Sequence, residues 1–235
     1  MAHRKARWWL RIPLILIGVV LGIQLWFFGW VMVWRVAEPG PTQFMKIRLE
    51  ELQRKTPTAK LQHTWVPYGQ ISTNLKRALI AAEDSKFMQH QGFDFDGIQK
   101  ALEKNEKRGR IAAGGSTITQ QLAKNLFLWP EKSLIRKGQE ALITMMIEAT
   151  WSKRRILEVY MNEIEWGTGI FGAEAAARHY FGISAGALNE YQAAMLASMV
   201  PSPQYYDRKG ETDGLLRQTE VILERMNKVA IPPNR

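Results

Sequence analysis

The chain of 235 residues contains no cysteine. Disulfide bonds, thiolate nucleophiles and thiolate-bound metal sites are therefore excluded, although this absence does not identify the compartment. The sequence also has no internal repeat, no low-complexity tract and no segment with a convincing strand alternation. A chain of this length can bury one sizeable core. The lack of strand alternation favours an all-α fold class.

Charged side chains are missing from one long segment. Residues 13–34 (PLILIGVVLGIQLWFFGWVMVW) carry no charge. A helix of this length, rising ~1.5 Å per residue, would cross a ~30 Å hydrocarbon layer. A cleaved signal peptide is the competing interpretation, but its apolar core spans only ~7–15 residues, and no clear small-residue cleavage site follows this segment. We therefore predict a transmembrane helix at 13–34.

The two flanks of this segment differ in charge. Basic residues crowd the N-terminus between Arg4 and Arg11, whereas only Arg35, opposed by Glu38, follows closely. The positive-inside rule predicts that residues 1–12 are cytoplasmic and that the body lies outside the cytoplasm. The formal net charge of the chain is +10. This excess suits an anionic lipid surface or a phosphate group, and the exported topology argues against nucleic acid.

Prolines and helical periodicity divide the rest of the chain. Residues 35–64 are predicted to form a linker and membrane-proximal region, and residues 65–235 the globular domain. Apolar spacing and capping residues predict helices at 72–89, 94–106, 117–128, 133–150, 153–164, 170–180, 187–199 and 212–229.

The segment at 114–125 (GGSTITQQLAKN) combines two glycines, hydroxyl side chains and a helix start. Thr117 and Gln120 form a capping box, which predicts free N–H groups and a positive helix end beside the glycine turn. This pattern is typical of an anion site, with an ordinary loop-to-helix joint as the alternative. The charged run at 104–110 (KNEKRGR) is predicted to be mobile, either as a solvated loop or as a flap that closes on substrate.

Glu83 lies on the edge of an apolar helical stripe formed by Leu75, Leu79, Ala82 and Phe87. Burial at this edge disfavours the charged carboxylate and raises its pKa toward the range of a general acid or base. A buried glutamate paired with a structural Arg or Lys is the alternative.

A second carboxylate, Glu140, follows Arg136 by one helical turn in a segment that is apolar all round, which predicts a central helix. Either the two residues form only an intrahelical ion pair, or Glu140 reaches a cleft where Lys132, Arg136 and Lys137 bind phosphate oxygens. Two separated carboxylates beside a basic anion site suit glycosyl transfer from a sugar pyrophosphate. One carboxylate takes a proton while the cations neutralise the departing charge.

Five segments occur together in a fixed order. They are EDSKFMQHQGFD at 83–94, GGSTITQQLAKN at 114–125, RKGQE at 136–140 with Glu148, the stretch 153–182 that contains ILEVYMN, and residues 188–203. Over about residues 65–205 the chain thereby resembles the peptidoglycan glycosyltransferases of glycosyltransferase family 51.

The resemblance implies a lysozyme-like helical domain with a smaller membrane-proximal jaw. It also implies polymerisation of lipid II into β-1,4-linked glycan strands, with inversion and release of undecaprenyl pyrophosphate. Glu83 is then the general base for the acceptor 4-hydroxyl, and Glu140 a second catalytic carboxylate that positions the diphosphate. The implied substrate-binding residues are Asp84, Phe87, His90, Thr117, Gln121, Lys124, Asn125, Lys132, Arg136 and Lys137.

The resemblance does not establish a required cofactor. It leaves open a divalent cation, Mg²⁺ or Mn²⁺, at Glu140. The implied partners are lipid II, the growing glycan strand and the membrane, with separate transpeptidase and cell-division proteins as further candidates and no nucleic acid. The implied location is the bacterial inner membrane, in which the chain is single-pass and its catalytic domain is periplasmic.

Two rival functions fit parts of the sequence. A muramidase or lytic transglycosylase also uses a glutamate in a helical cleft, but a sugar–sugar bond offers no diphosphate to the segment at 114–125. A catalytically silent, membrane-tethered scaffold is the second rival. The chain has no S-x-x-K or K-T-G motif, so no transpeptidase activity is expected.

Overall fold

The computed structural model describes residues 6–108, 115–131 and 133–234. The chain forms two units, one up to Ala37 and the other from Glu38 onward. The first unit consists mainly of α1 (Ala6–Trp34). Its stretch Arg11–Trp34 is long and apolar enough to cross a membrane, and most of its large apolar side chains are exposed. This suggests a single-pass membrane anchor.

The second unit is built almost entirely from helices, which confirms the predicted all-α class. Its predicted division at residues 64 and 65 stays a prediction. The helices are α2 (Gln43–Lys55), α3 (Thr73–Glu83), α4 (Phe95–Arg108), α5 (Ile118–Phe127), α6 (Leu134–Thr150), α7 (Lys153–Glu163), α8 (Ala173–Phe181), α9 (Glu190–Met199), α10 (Pro203–Lys209) and α11 (Asp213–Met226).

Side-chain caps explain where several of these helices begin. The hydroxyls of Ser72, Ser133 and Ser152 accept hydrogen bonds from first-turn N–H groups of α3, α6 and α7. Thr117 and Asn189 form capping boxes at α5 and α9. These polar residues satisfy donors that the helix itself leaves unpaired, so the sequence places the helix starts closely.

Three short strands interrupt the helical pattern: β1 (Gln62–His63), β2 (Glu165–Gly167) and β3 (Ile170–Phe171). The strand β3 lies in the middle, parallel to β1 and antiparallel to β2. The helix predicted at 170–180 is therefore wrong at its start. Gly172 adopts a φ of +84° before α8, and a Cβ there would lie 2.9 Å from the carbonyl oxygen of Asn162. A glycine is thus required where the strand turns into the helix.

The helix predicted at 72–89 is too long, because α3 ends at Glu83. Asp84 leaves helical geometry, with a φ of −161°, and its carboxylate bonds to groups outside the helix. Glu83 is therefore held at a helix terminus rather than in mid-helix.

The packing brings the end of α3 to the start of α5. The helix α3 packs against α9 and α11, while α5 packs against α6 and α7. Leu75, Leu79, Ile118 and Leu122 are fully buried.

The helix α4 continues to Arg108, so the run predicted to be mobile at 104–110 begins as helix. Its last two residues and Gly114 lie outside the described residues.

Candidate active site

Glu83 is partly buried at the end of α3, where its carboxylate accepts a hydrogen bond from a neutral amide. The Nε2 atom of Gln121 donates a hydrogen bond of 2.7 Å to Oε2 of Glu83. Burial raises the pKa of Glu83, and the negative charge of Asp84 adds to this effect. The Gln121 hydrogen bond and the charge of Lys124 oppose it. A carboxylate with a raised pKa and no bonded cation in the described part of the chain can accept a proton from a bound hydroxyl.

Asp84 and His90 form a buried pair that holds the loop after Glu83. The Nε2 atom of His90 lies 2.8 Å from Oδ1 of Asp84, and the N–H of Gly92 donates to Nδ1 of His90 at 3.1 Å. Because Nδ1 accepts, Nε2 carries the proton and donates to Asp84. These contacts support the loop, and Asp84 also lines a cavity together with Glu83.

The N-terminus of α5 is occupied by the protein itself. Oδ2 of Asp84 accepts the N–H of Ile118 at 3.1 Å, and the hydroxyl of Thr117 accepts the N–H of Gln120 at 3.3 Å. The hydroxyl of Thr117 also donates to the carbonyl of Gly92 at 2.7 Å. The predicted capping box is confirmed, and it pairs the N–H of Gln120. The prediction that first-turn N–H groups are free for an anion is wrong for Ile118, because the carboxylate of Asp84 accepts its N–H.

Cations surround Glu140 instead. The NH1 atom of Arg136 donates to Oε2 of Glu140 at 2.8 Å, and Nζ of Lys137 donates to Oε1. Nζ of Lys137 also lies 3.2 Å from the hydroxyl of Ser116, which ties α6 to the segment at 114–125. The intrahelical ion pair thus exists and forms part of a basic cluster beside that segment. Lys132, predicted for the same cluster, lies outside the described residues.

Lys124 is electrostatically coupled to both carboxylates. Burial lowers its pKa, the charges of Glu140 and Glu83 raise it, and those of Arg136 and Lys137 lower it further. Lys124 therefore lies close enough to Arg136 and Lys137 to be repelled by them, and Glu140, the bonded counter-ion of those two residues, also attracts it. Such a cluster is suited to a polyanion such as a diphosphate.

Two cavities are lined by residues of this region. One, of about 240 Å³, is lined by Glu83, Asp84, Gly115, Ser116 and Thr117 among others. The other, of about 370 Å³, is lined by residues that include Gln121, Lys124 and Asn125. The hydrogen bond between Gln121 and Glu83 joins residues from the two linings.

Phe87 does not line either cavity, because its side chain is fully buried. The Nζ atom of Lys153 lies 4.6 Å from its ring centre. The structure thus assigns Phe87 to the core, where it supports the loop that follows Glu83.

The donor set around Glu140 does not fit a divalent cation. Both of its oxygens accept hydrogen bonds from Arg136 and Lys137. Within residues 6–108, 115–131 and 133–234, no group of three or more His, Asp or Glu side chains could hold a metal ion. One guanidinium and one ammonium group next to a single carboxylate leave a net positive charge, which favours an anion at this position.

Tyr160 and Arg48 also belong to this region, although no sequence pattern pointed to them. Tyr160 is fully buried on α7, and its hydroxyl donates to Oε1 of Gln121 at 2.9 Å. Arg48, on α2, lines the larger cavity and donates to Glu165 at 2.8 Å. Tyr160 lies within ILEVYMN, but periodicity does not reveal which partner its hydroxyl reaches, and Arg48 lies before the five segments.

Comparison with known proteins places the chain among enzymes of one type. Residues 50–227 match the family described as Transglycosylase. A biosynthetic peptidoglycan transglycosylase of Dechloromonas aromatica is 60% identical over 95% of this chain and 97% of that relative. Proteins with the same name from Nitrosospira multiformis and an Azoarcus species are each 56% identical, over 96% and 97% of this chain and 98% of each relative.

Proposed function

The chain belongs to the transglycosylase family and is a peptidoglycan glycosyltransferase, and from this premise we propose that it polymerises lipid II with release of undecaprenyl pyrophosphate. The observation that carries the proposal is that Lys124 interacts electrostatically both with Glu83 and with Arg136 and Lys137, so that the carboxylate lies near a basic cluster formed by these three cations. Proton removal and neutralisation of a leaving diphosphate require these two chemistries side by side.

Glu83 is proposed as the general base. Its carboxylate accepts the proton of the 4-hydroxyl on the acceptor GlcNAc, and the resulting oxygen attacks C1 of the donor MurNAc. The bond between C1 and the pyrophosphate oxygen breaks as the new β-1,4 bond forms, so the configuration at C1 inverts once. The raised pKa of Glu83 supports this role, because a base of very low pKa has little affinity for the proton.

The basic cluster is proposed to bind the diphosphate that leaves. Negative charge grows on the leaving oxygen as the glycosidic bond breaks, so cations held at that point stabilise the transition state more than the ground state. Glu140 is proposed to position Arg136 and Lys137 through its two oxygens. Lys132 is proposed as a further member of the cluster, and Asn125 as a residue of the cleft wall.

The apolar helix α1 fits this substrate. A polyprenyl chain does not leave the bilayer readily, so an enzyme tethered to the same surface meets its substrate by diffusion in two dimensions. We propose that the chain lies in the bacterial inner membrane with residues 1–12 in the cytoplasm and the catalytic unit in the periplasm. Peptide cross-linking is then supplied by separate transpeptidase proteins, with cell-division proteins as further partners.

The test uses the full chain in liposomes with two labelled substrates, lipid II and preformed uncross-linked glycan. The expected result is polymer from lipid II and no shortening of the preformed glycan. Shortening without polymer would identify a muramidase or lytic transglycosylase. No reaction with either substrate would favour the scaffold and contradict the proposal.

A further inference from the structure

A short relay of hydrogen bonds connects a buried tyrosine to the proposed base. The hydroxyl of Tyr160 donates to Oε1 of Gln121 at 2.9 Å, and Nε2 of the same amide donates to Oε2 of Glu83 at 2.7 Å. Tyr160 lies on α7 and is fully buried, whereas Gln121 and Glu83 are partly exposed to the site.

The relay matters because a glutamine amide can face Glu83 in two ways. With its NH₂ group toward Glu83, the amide donates to the ionised carboxylate and favours it. After a half-turn its carbonyl oxygen would face Glu83 and favour the protonated acid. Only the first orientation leaves Glu83 ready to accept a proton.

Tyr160 distinguishes these orientations because its hydroxyl remains a donor. Burial raises the pKa of Tyr160 well above its ordinary value, and the charges of Glu83 and Asp84 act in the same direction. A hydroxyl that keeps its proton needs an acceptor, and Oε1 of Gln121 is the one that the structure provides. A phenylalanine would fill the same space without this preference.

We propose that Tyr160 is a positioning residue that fixes the orientation of the Gln121 amide and thereby keeps Glu83 ionised and aligned for proton removal. The inference rests on the proposed function in so far as Glu83 is the base. Its contacts are independent of substrate, so they can be tested without it.

The first test measures the titration of Glu83 by NMR in the full chain, in detergent micelles, with ¹³C-labelled glutamate. Glu83→Gln assigns the resonance by its loss. Because the Gln121 hydrogen bond lowers the pKa of Glu83, Tyr160→Phe is expected to move the midpoint to higher pH. Tyr68→Phe is the matched control, because it removes another fully buried hydroxyl, one that donates to the carbonyl of Pro232. It should leave the midpoint of Glu83 unchanged.

The second test measures polymerisation across pH. Tyr160→Phe is expected to lower kcat by roughly fivefold, the equivalent of one hydrogen bond, with little change in KM. The acid limb of its pH profile should move upward together with the NMR midpoint. An inactive wild-type chain would count against the proposed function alone, because the NMR comparison would still stand.

A double-mutant cycle shows whether Tyr160 acts through Gln121. Gln121→Met alone should raise the Glu83 midpoint, and adding Tyr160→Phe to it should raise the midpoint no further. Equal and additive shifts would overturn the proposal, as would a Tyr160→Phe midpoint equal to that of the wild type. If Tyr160→Phe does not fold, an unchanged midpoint in Gln121→Met overturns the proposal and a raised one supports it.

Discussion

Glu83 and Glu140 are carboxylates of one site, yet their surroundings are opposite. Glu83 accepts a hydrogen bond from a neutral amide, and burial raises its pKa. Glu140 is more deeply buried and accepts hydrogen bonds from Arg136 and Lys137 on its two oxygens. The first environment raises the affinity of Glu83 for a proton, whereas the second pairs Glu140 with two cations.

In the proposed mechanism, these two environments assign proton transfer to Glu83 and charge positioning to Glu140, although the side chains are of the same type. Desolvation without a bonded cation disfavours the ionised form, while two bonded cations stabilise it. The predictions that follow test whether these environments, rather than position alone, determine the two roles.

The largest expected effect comes from removing the base. Glu83→Gln keeps the size and the hydrogen-bonding capacity of the side chain but cannot accept the proton, so the polymerisation rate should fall by about 10²–10⁴-fold. In the wild type, activity should be lost as pH falls through the raised pKa of Glu83, because the protonated acid is no longer a base. Both are measured with labelled lipid II.

The matched control is Glu220→Gln, since Glu220 is exposed on α11. It should polymerise at the wild-type rate. Equal activity of Glu83→Gln and Glu220→Gln would contradict the role of Glu83 and remove the basis of the comparison.

Replacing Glu140 should affect stability as well as rate. In Glu140→Gln, Arg136 and Lys137 lose their shared counter-ion, and a buried cation left without its partner costs about 2–4 kcal/mol of unfolding free energy. Calorimetry should show a lower Tm, and polymerisation should fall by roughly tenfold or more. The acid limb of the pH profile should stay in place, because Glu83 is still the base. A Tm equal to that of Glu220→Gln would contradict this account.

Lys124 connects the two environments, so its removal should alter both. Its charge lowers the pKa of Glu83. Lys124→Met should therefore move the acid limb to higher pH and reduce the rate by about tenfold. Lys228→Met is the control, because Lys228 is exposed. A slower enzyme with an unmoved acid limb would show that Lys124 acts on the leaving group only.

Another buried carboxylate, Glu163, extends the comparison and gives the smallest expected effect on activity. Its side chain is fully buried, and neither oxygen has a hydrogen-bond partner among the described residues. Burial raises the pKa of Glu163 to about 8. The folded state therefore binds this proton more tightly than the unfolded state does, and stability is lost as pH rises from the unfolded pKa through about 8.

Glu163→Gln should remove this loss. The variant is expected to be more stable than the wild type at pH 9 by roughly 2–4 kcal/mol and to show little difference at pH 5. Thermal unfolding at the two pH values measures this. A wild-type Tm that falls no more steeply with pH than that of the variant would show that Glu163 has a charged partner.

Much of the helical fold could be predicted from local pattern. The capping residues Ser72, Thr117 and Ser133 begin helices as expected, because caps act on backbone groups next to them in the chain. The sheet could not be predicted, since β1 and β3 are only two residues long and pair across distant parts of the chain. Strands this short show no alternation.

The candidate site was predictable to a different degree. The predicted residues Glu83, Gln121, Lys124, Arg136, Lys137 and Glu140 are brought together by contacts or by electrostatic influence. The occupied N-terminus of α5 was not foreseen, because Asp84 reaches Ile118 only once α3 has ended and the chain has turned. The catalytic and binding roles of the predicted site residues stay predictions.

The order of residues alone determined the apolar N-terminal helix, the starts of the capped helices and the cations that lie one turn before Glu140 on its own helix, because these depend on neighbours along the chain. Only the tertiary structure decided that Glu83 receives a neutral donor, since Gln121 comes from α5. The proton affinity of Glu83 depends on burial and on groups within a few ångströms, and those groups include side chains of a helix that is distant in sequence.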